Sequence, residues 1–188
     1  MKSHARVVVI GGGVVGVSTL YHLTRKGWSD VVLLERTELT AGSTWHAAGL
    51  LPLFNMSYTV GQLHKYSVDL YKRLPAETGQ DVSFHVTGNL RLATCRDRMD
   101  EYRKYCGTAN TIGVPFQLIS PAEVKELWPL VNLGGDADTP AVIGALYHPD
   151  DGHIAPADLT MALRRAARSA GAEINEQTEV TGAVQMPS

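Results

Sequence analysis

The sequence predicts an α/β fold: a Rossmann-like βαβ unit at the N-terminus, belonging to a domain interrupted by an inserted α+β subdomain. Three observations predict it. A β-branched run, Val7–Ile10, leads directly into "GGGVVG"; apolar residues at helical spacing follow; and a second strand-like run, Val31–Leu34, ends in the acid Glu35. Strand, glycine turn, helix and strand within about 30 residues make a βαβ unit, whose crossover is right-handed.

Each element has a local reason. Val7–Ile10 is continuously β-branched, the pattern of a parallel strand buried on both faces. Val14, Val17, Leu20 and Leu23 fall at helical spacing, and Gly27 stands where a helix C′ residue belongs. Farther on, Val60, Leu63, Ser67, Leu70, Tyr71 and Leu74 mark an amphipathic helix that Pro75 and the turn near Gly79 should end. "VSFHVTGNLRLAT" alternates in two pieces around Gly88 and Asn89, which predicts a hairpin. Residues 97–109 read as a helix with Tyr102, Tyr105 and Ala109 on one side, and "VPFQLI" reads as a strand. "SPAEVKELWP" carries a helix start: Ser120 as N-cap, Pro121 at the first position and Glu123 closing a capping box. "AVIGALYHP" is a strand entering the loop "DDGH". A small-residue helical face (Leu159, Ala162, Leu163, Ala166, Ala167) stops at Gly171, and "AEINE" and "TEVTGAV" follow as strands. Residues 1–50 therefore read as the first part of the nucleotide-binding domain, 51–154 as the inserted subdomain, and 155–188 as the return.

Composition excludes several classes. With 188 residues, 44% of them apolar and 19% charged, the chain has enough apolar material for a core. A net charge of −2 leaves no electrostatic footprint for nucleic acid or an anionic membrane. No apolar run is long enough to span a bilayer. The basic and apolar N-terminus imitates a signal peptide, but the glycine triplet interrupts the apolar stretch and no small-residue cleavage site follows. Only about six residues precede the first strand, so a cytoplasmic location is expected. Cys95 and Cys106 lack metal-ligand spacing and read as small fillers or surface thiols.

The chemistry begins at Gly11, Gly13 and Gly16, which form G-x-G-x-x-G. Gly11 permits the tight turn, Gly13 lets backbone approach a pyrophosphate, and Gly16 allows close helix–sheet packing. The phosphates lie at the positive end of the helix that starts near Val14. Glu35, about 20 residues on, is placed to accept from both ribose hydroxyls, and its charge disfavours a 2′-phosphorylated cofactor. The segment after Glu35 separates NAD from FAD. In a plain NAD domain another crossover helix comes next; here the chain runs through "TAGSTWHAAGL", mostly small and polar. Gly42, Ser43 and Thr44 offer backbone and hydroxyl donors to a pyrophosphate, and Gly49 lets backbone lie near a flat ring. A long, bent dinucleotide suits such a segment.

Gly11-x-Gly13-x-x-Gly16, Glu35-Arg36 and, above all, "AGSTWHAAGL" (residues 41–50) resemble the dimethylglycine/sarcosine dehydrogenase family. These are glycine-oxidase-like, D-amino-acid-oxidase-like flavoproteins. "TGNLRLAT", "LYHPDDGHIAPADLTMAL" and "TEVTGAV" extend the resemblance along the whole chain. It implies FAD, with Val14 and Val15 against the pyrophosphate and Glu35 with Arg36 at the adenosine ribose. Gly42, Ser43, Thr44, Trp45, His46, Ala47, Ala48, Gly49 and Leu50 would wrap the diphosphate and flavin side, and Val180 would touch the adenine portion through its backbone. The histidine matching His46 is, in the family, bonded covalently to the flavin 8α-methyl. The resemblance further implies oxidation of the N-methyl carbon of dimethylglycine or sarcosine, giving an iminium that hydrolyses to the demethylated amine and formaldehyde. In longer relatives a further domain passes that carbon to tetrahydrofolate.

Compared with that family pattern the fold is incomplete: later sheet strands and a glycine-rich segment at the flavin ring lie beyond residue 188. No catalytic base is identified among these residues. The partners expected are a methylated amine, an electron acceptor, and either a completing polypeptide or a second copy at an open sheet edge. A non-catalytic FAD-binding module and an NAD-binding Rossmann protein remain alternatives. Trp45 reads as packing, and His64 and His85 as structural. Arg91 is a candidate to face a carboxylate, with its direction open. His148, Asp150, Asp151 and His153 in "HPDDGH" have metal-ligating types but sit in a Gly/Pro turn, so they read as solvated turn formers and no metal site is expected.

Overall fold

The computed structural model describes residues 2–185. In chain order its elements begin with β1 (Val7–Ile10), α1 (Val14–Arg25), β2 (Val31–Leu34), β3 (Leu50–Leu51), α2 (Tyr58–Thr78), β4 (His85–Val86) and β5 (Asn89–Ala93). They continue with α3 (Arg96–Ile112), β6 (Gln117–Ile119), α4 (Pro121–Leu127), β7 (Gly144–His148), β8 (Gly152–His153), α5 (Pro156–Ser169) and β9 (Glu173–Asn175). Two compact units result. One takes the chain up to Gly49, Tyr71–Phe84 and the described residues from Ile154 onward; the other takes Leu50–Leu70 and His85–His153.

The first unit is built on a parallel sheet ordered β1-β2-β9, with Val7 opposite Val31 and Leu33 opposite Ile174. α1 packs on β1 and β2 and lies against α5. Val17 and Leu20 of α1, Leu33 of β2 and Leu163 of α5 are completely buried. Gly27 follows the α1 cap at φ +83, as its position predicted. The expectation that β1 is buried on both faces needs correction: Val8 is 48% and Ile10 65% exposed. β1 ends the sheet order, whereas the central β2 has the buried run expected of a parallel strand.

The second unit holds two small antiparallel sheets, β3-β8-β4 and β5-β7-β6. α3 packs on β5 and β7, and α4 packs on β7. Ile119, Val124, Val131 and Ala145 form one buried cluster. α4 begins with the predicted capping box: Ser120 Oγ accepts from the Glu123 N–H, and the Glu123 carboxylate accepts from the Ser120 N–H. α3 buries Tyr102, Tyr105 and Ala109, the face its periodicity named.

Three other expectations are overturned. Pro75 does not end its helix; it lies inside α2, which runs to Thr78 and stops at the expected turn at Gly79, φ +67. The Gly79 N–H closes on the Pro75 carbonyl and the Thr78 hydroxyl on the Leu74 carbonyl. Continued packing of the fully buried Leu74 outweighs the lost bond. The "VSFHVTGNLRLAT" hairpin does not form: β4 pairs with β8 and β5 pairs with β7. Gly88 at φ +72 passes the chain from one sheet to the next. Finally, "TEVTGAV" is not a strand. After β9 the chain crosses the end of β2, with Thr178 N–H donating to the Glu35 carbonyl.

Candidate dinucleotide site

The glycine turn between β1 and α1 is shaped by contacts that exclude side chains. Gly11 adopts φ +106 and its N–H donates to the Leu34 carbonyl, 2.9 Å away. A Cβ on Gly16 would stand 2.0 Å from the Gly11 carbonyl oxygen, so only glycine lets the helix begin this close to the turn. Gly13 caps α1 without a side-chain bond, and no acid lies in the first turn, leaving the positive helix end uncancelled. One terminal amide is already used: Val14 N–H donates to Thr44 Oγ1 at 2.9 Å. That bond ties the segment after β2 to the helix start. Gly12 is closely packed too, since its Cβ would meet Leu39 at 2.5 Å.

Glu35 sits at the end of β2 and has a structural duty that the motif did not disclose. Its Oε2 accepts from Gly12 N–H at 2.6 Å, and its Oε1 from the Thr37 N–H and hydroxyl at 2.9 and 3.1 Å. Burial alone would raise its pKa, but these donors and the Arg36 charge hold the carboxyl below its usual range. The result is a fixed, ionised acceptor with lone-pair capacity left for one further donor.

These groups border one open cleft of about 700 Å³. It brings together Gly11, Gly13, Val14, Val15, Glu35, Arg36, Gly42, Ser43, Thr44 and Ala47, from the residues singled out in sequence. Gly12, Thr37, Glu38 and Ala41 also line it and were missed. Thr37 could have been suspected from its place two residues after the strand-end acid. A Cβ on Gly42 would meet nothing within 4 Å, so this glycine faces open space. The glycine turn, the uncancelled helix end and the fixed carboxylate suit the pyrophosphate and ribose of a dinucleotide.

Other residues stand elsewhere. Gly16 lies behind the turn. Trp45 is 71% exposed, so it does not pack as expected; it borders a separate cavity with Leu39 and Met161. His46 is exposed on a series of tight turns, its N–H donating to the Ser43 carbonyl. Its side chain, Ala48, Gly49, Leu50 and Val180 are not in the cleft lining. What comes close to Gly49 is protein backbone: φ is +75, and a Cβ would lie 2.0 Å from the Ile154 carbonyl oxygen.

The "HPDDGH" residues divide. His148 and Asp151 are 0% and 1% exposed, which overturns their reading as solvated turn formers. His148 Nε2 is 3.0 Å from the Tyr105 hydroxyl, and Asp151 Oδ1 accepts from Leu53 N–H at 2.8 Å. Arg91 stacks on Phe54, 4.5 Å from the ring centre. Arg91 Nε, His148 Nδ1 and Asp151 Oδ2 are buried without a hydrogen-bond partner among the described residues. Burial, helped by the Arg91 charge, lowers His148 to about 4. Burial raises Asp151 to about 6, with the Leu53 N–H and Arg91 opposing. The candidate cleft contains none of these residues.

Residues 6–186 match the family model described as DAO, FAD dependent oxidoreductase. The chain is 45% identical over 186 residues to mitochondrial dimethylglycine dehydrogenase of Rattus norvegicus, covering 99% of this chain and 21% of that protein. It is 42% identical over 183 residues to mitochondrial sarcosine dehydrogenase of Homo sapiens, covering 97% of this chain and 19% of that one. The chain thus spans about a fifth of the length of these dehydrogenases. The solved L-proline dehydrogenase from P. horikoshii superposes with TM-score 0.88 at 32% identity, over 98% of this chain and 47% of that one. Among the described residues no helix is long and apolar enough to cross a membrane. The motif resemblance and the fold agree with these matches: the chain belongs to the FAD dependent oxidoreductase (DAO) family.

Proposed function

We propose that this chain is the FAD-holding part of an oxidoreductase acting on the N-methyl group of a methylated glycine, dimethylglycine or sarcosine. The observation that carries this reading is the single cleft shared by the glycine turn, the Glu35 carboxylate and the Gly42–Ser43–Thr44 segment. The similarity to dimethylglycine and sarcosine dehydrogenases supports the substrate class. When bound, FAD supplies a two-electron acceptor for hydride leaving the N-methyl carbon.

The residues have distinct duties in this reading. Glu35 accepts a ribose hydroxyl with Arg36 beside it, and Val14 and Val15 meet the pyrophosphate at the start of α1. Gly42, Ser43, Thr44 and Ala47 enclose the diphosphate side. Trp45, His46, Ala48, Gly49 and Leu50 would continue the motif toward the flavin, with His46 as the residue that would carry its covalent link, and Val180 would meet the adenine portion. The electron acceptor is a further partner, and a polypeptide covering the exposed Val8 and Ile10 of β1 is another. The cytoplasmic location belongs to this reading as well, although the rat and human relatives are named mitochondrial.

Purified protein tests the reading. Yellow colour that survives acid precipitation, together with dimethylglycine- or sarcosine-dependent dye reduction, supports it in full. Bound FAD without turnover reduces the chain to a cofactor-binding part. Failure to bind FAD refutes the reading. Two variants sharpen the assignment. Glu35→Gln keeps the size but removes the charge, and should weaken FAD binding by about 1–3 kcal/mol, the usual value of a charge-assisted hydrogen bond. Unchanged affinity would put the ribose elsewhere. His46→Ala should fold normally and bind FAD reversibly; a mass spectrum that still shows the adduct would assign the link to another residue.

A further inference from the structure

We propose that His85 and His153 form a two-imidazole site for a divalent transition-metal ion of the zinc type. They come from separate segments and meet as direct cross-strand partners of the antiparallel β4–β8 pair. Side chains at such positions project from the same face. Both residues are exposed, which corrects the structural role that periodicity suggested for His85. Their ring centroids are 5.1 Å apart, with the planes inclined at 40°.

That separation fits a shared ion. Two imidazoles bound through nitrogen at about 2.0–2.1 Å, with a tetrahedral angle at the metal, have centroids about 5 Å apart. Apolar stacking does not require this arrangement, and the ring contact each imidazole makes is with the other. Neutral imidazole suits zinc, nickel and copper(II). Sequence spacing does not point to the site, because His153 lies beside other ligand types within one turn. In the fold, His148 and Asp151 are buried in their own cluster and His153 faces His85 instead. Leu50, the other cross-strand neighbour of His153, contributes no donor. The remaining coordination positions are therefore left to water, so binding is weaker than at a closed four-ligand site.

Calorimetric titration of the full chain with zinc chloride, at a pH where histidine is neutral, tests the assignment. The unmodified chain should bind one ion, and either His85→Gln or His153→Gln should weaken that binding at least about tenfold, as expected when a two-ligand chelate becomes a single contact. His4→Gln, which removes another exposed imidazole, should leave it unchanged. Because both β4 and β8 positions are exposed, the variants should keep the metal-free melting temperature, and zinc should raise melting only where the pair is intact. Binding that survives either substitution in the pair overturns the proposal, as does the absence of binding to the unmodified chain.

Discussion

Replacing Gly16 with alanine is expected to cost about 3 kcal/mol of stability, the upper part of the range for overpacking, and to abolish dinucleotide binding. The added methyl would stand 2.0 Å from the Gly11 carbonyl oxygen, a backbone atom that cannot rotate away. Relief requires α1 to withdraw from the turn. Withdrawal moves the Val14 N–H away from Thr44 Oγ1, and that bond couples the two walls of the cleft. Gly42→Ala is the matched control: its methyl meets no atom within 4 Å, so stability should change by less than about 0.5 kcal/mol. The same methyl occupies cleft space and should still weaken FAD. Urea unfolding and FAD titration of both variants separate the effects. A Gly16→Ala protein as stable as the parent would show that the turn tolerates the shift.

The second large effect appears only when one member of a buried pair is removed. His148, held near pKa 4, binds fewer protons when folded than when unfolded from about pH 4 to 6.5, so its contribution makes stability rise with pH. Asp151, held near 6, binds more protons when folded between its ordinary 3.8 and 6, so its contribution makes stability fall with pH. The two slopes oppose and largely cancel in the parent protein. Asp151→Asn should expose the histidine slope, stability rising by up to about 3 kcal/mol between pH 4 and 6.5. His148→Gln should expose the reverse slope, with a loss of up to about 3 kcal/mol between pH 4 and 6. Arg91 over Phe54, Tyr105 on α3 and the adjacent Asp150 face the pair and are unaltered in both variants. Urea midpoints across this pH range check the result. Profiles parallel to that of the parent protein would contradict the buried assignments.

What could be read from the sequence was local. Gly11, Gly13 and Gly16 encode a turn by their lack of side chains, and Ser120 with Glu123 encodes a helix start within four residues. Both survive intact in the fold. The long-range features were hidden. Alternation around Gly88 shows which side chains share a face but not which strand they meet, so a hairpin was expected where β4 and β5 part company. β1 and β2 are both continuous apolar runs, and only the sheet order explains why Val8 and Ile10 are exposed. Asp151 looked like a solvated turn residue because its partner, the Leu53 amide, comes from a distant segment. In the cleft, the motif named Glu35 as a ribose acceptor but could not show that Gly12 and Thr37 already hold it.

In the proposed reading a flavin dinucleotide lies in the cleft between the glycine turn and the segment after Glu35. Amide hydrogen exchange with and without saturating FAD tests it most directly. Exchange should slow at residues 11–16 and 37–47. Unchanged exchange in those segments, with protection elsewhere or nowhere, would contradict it.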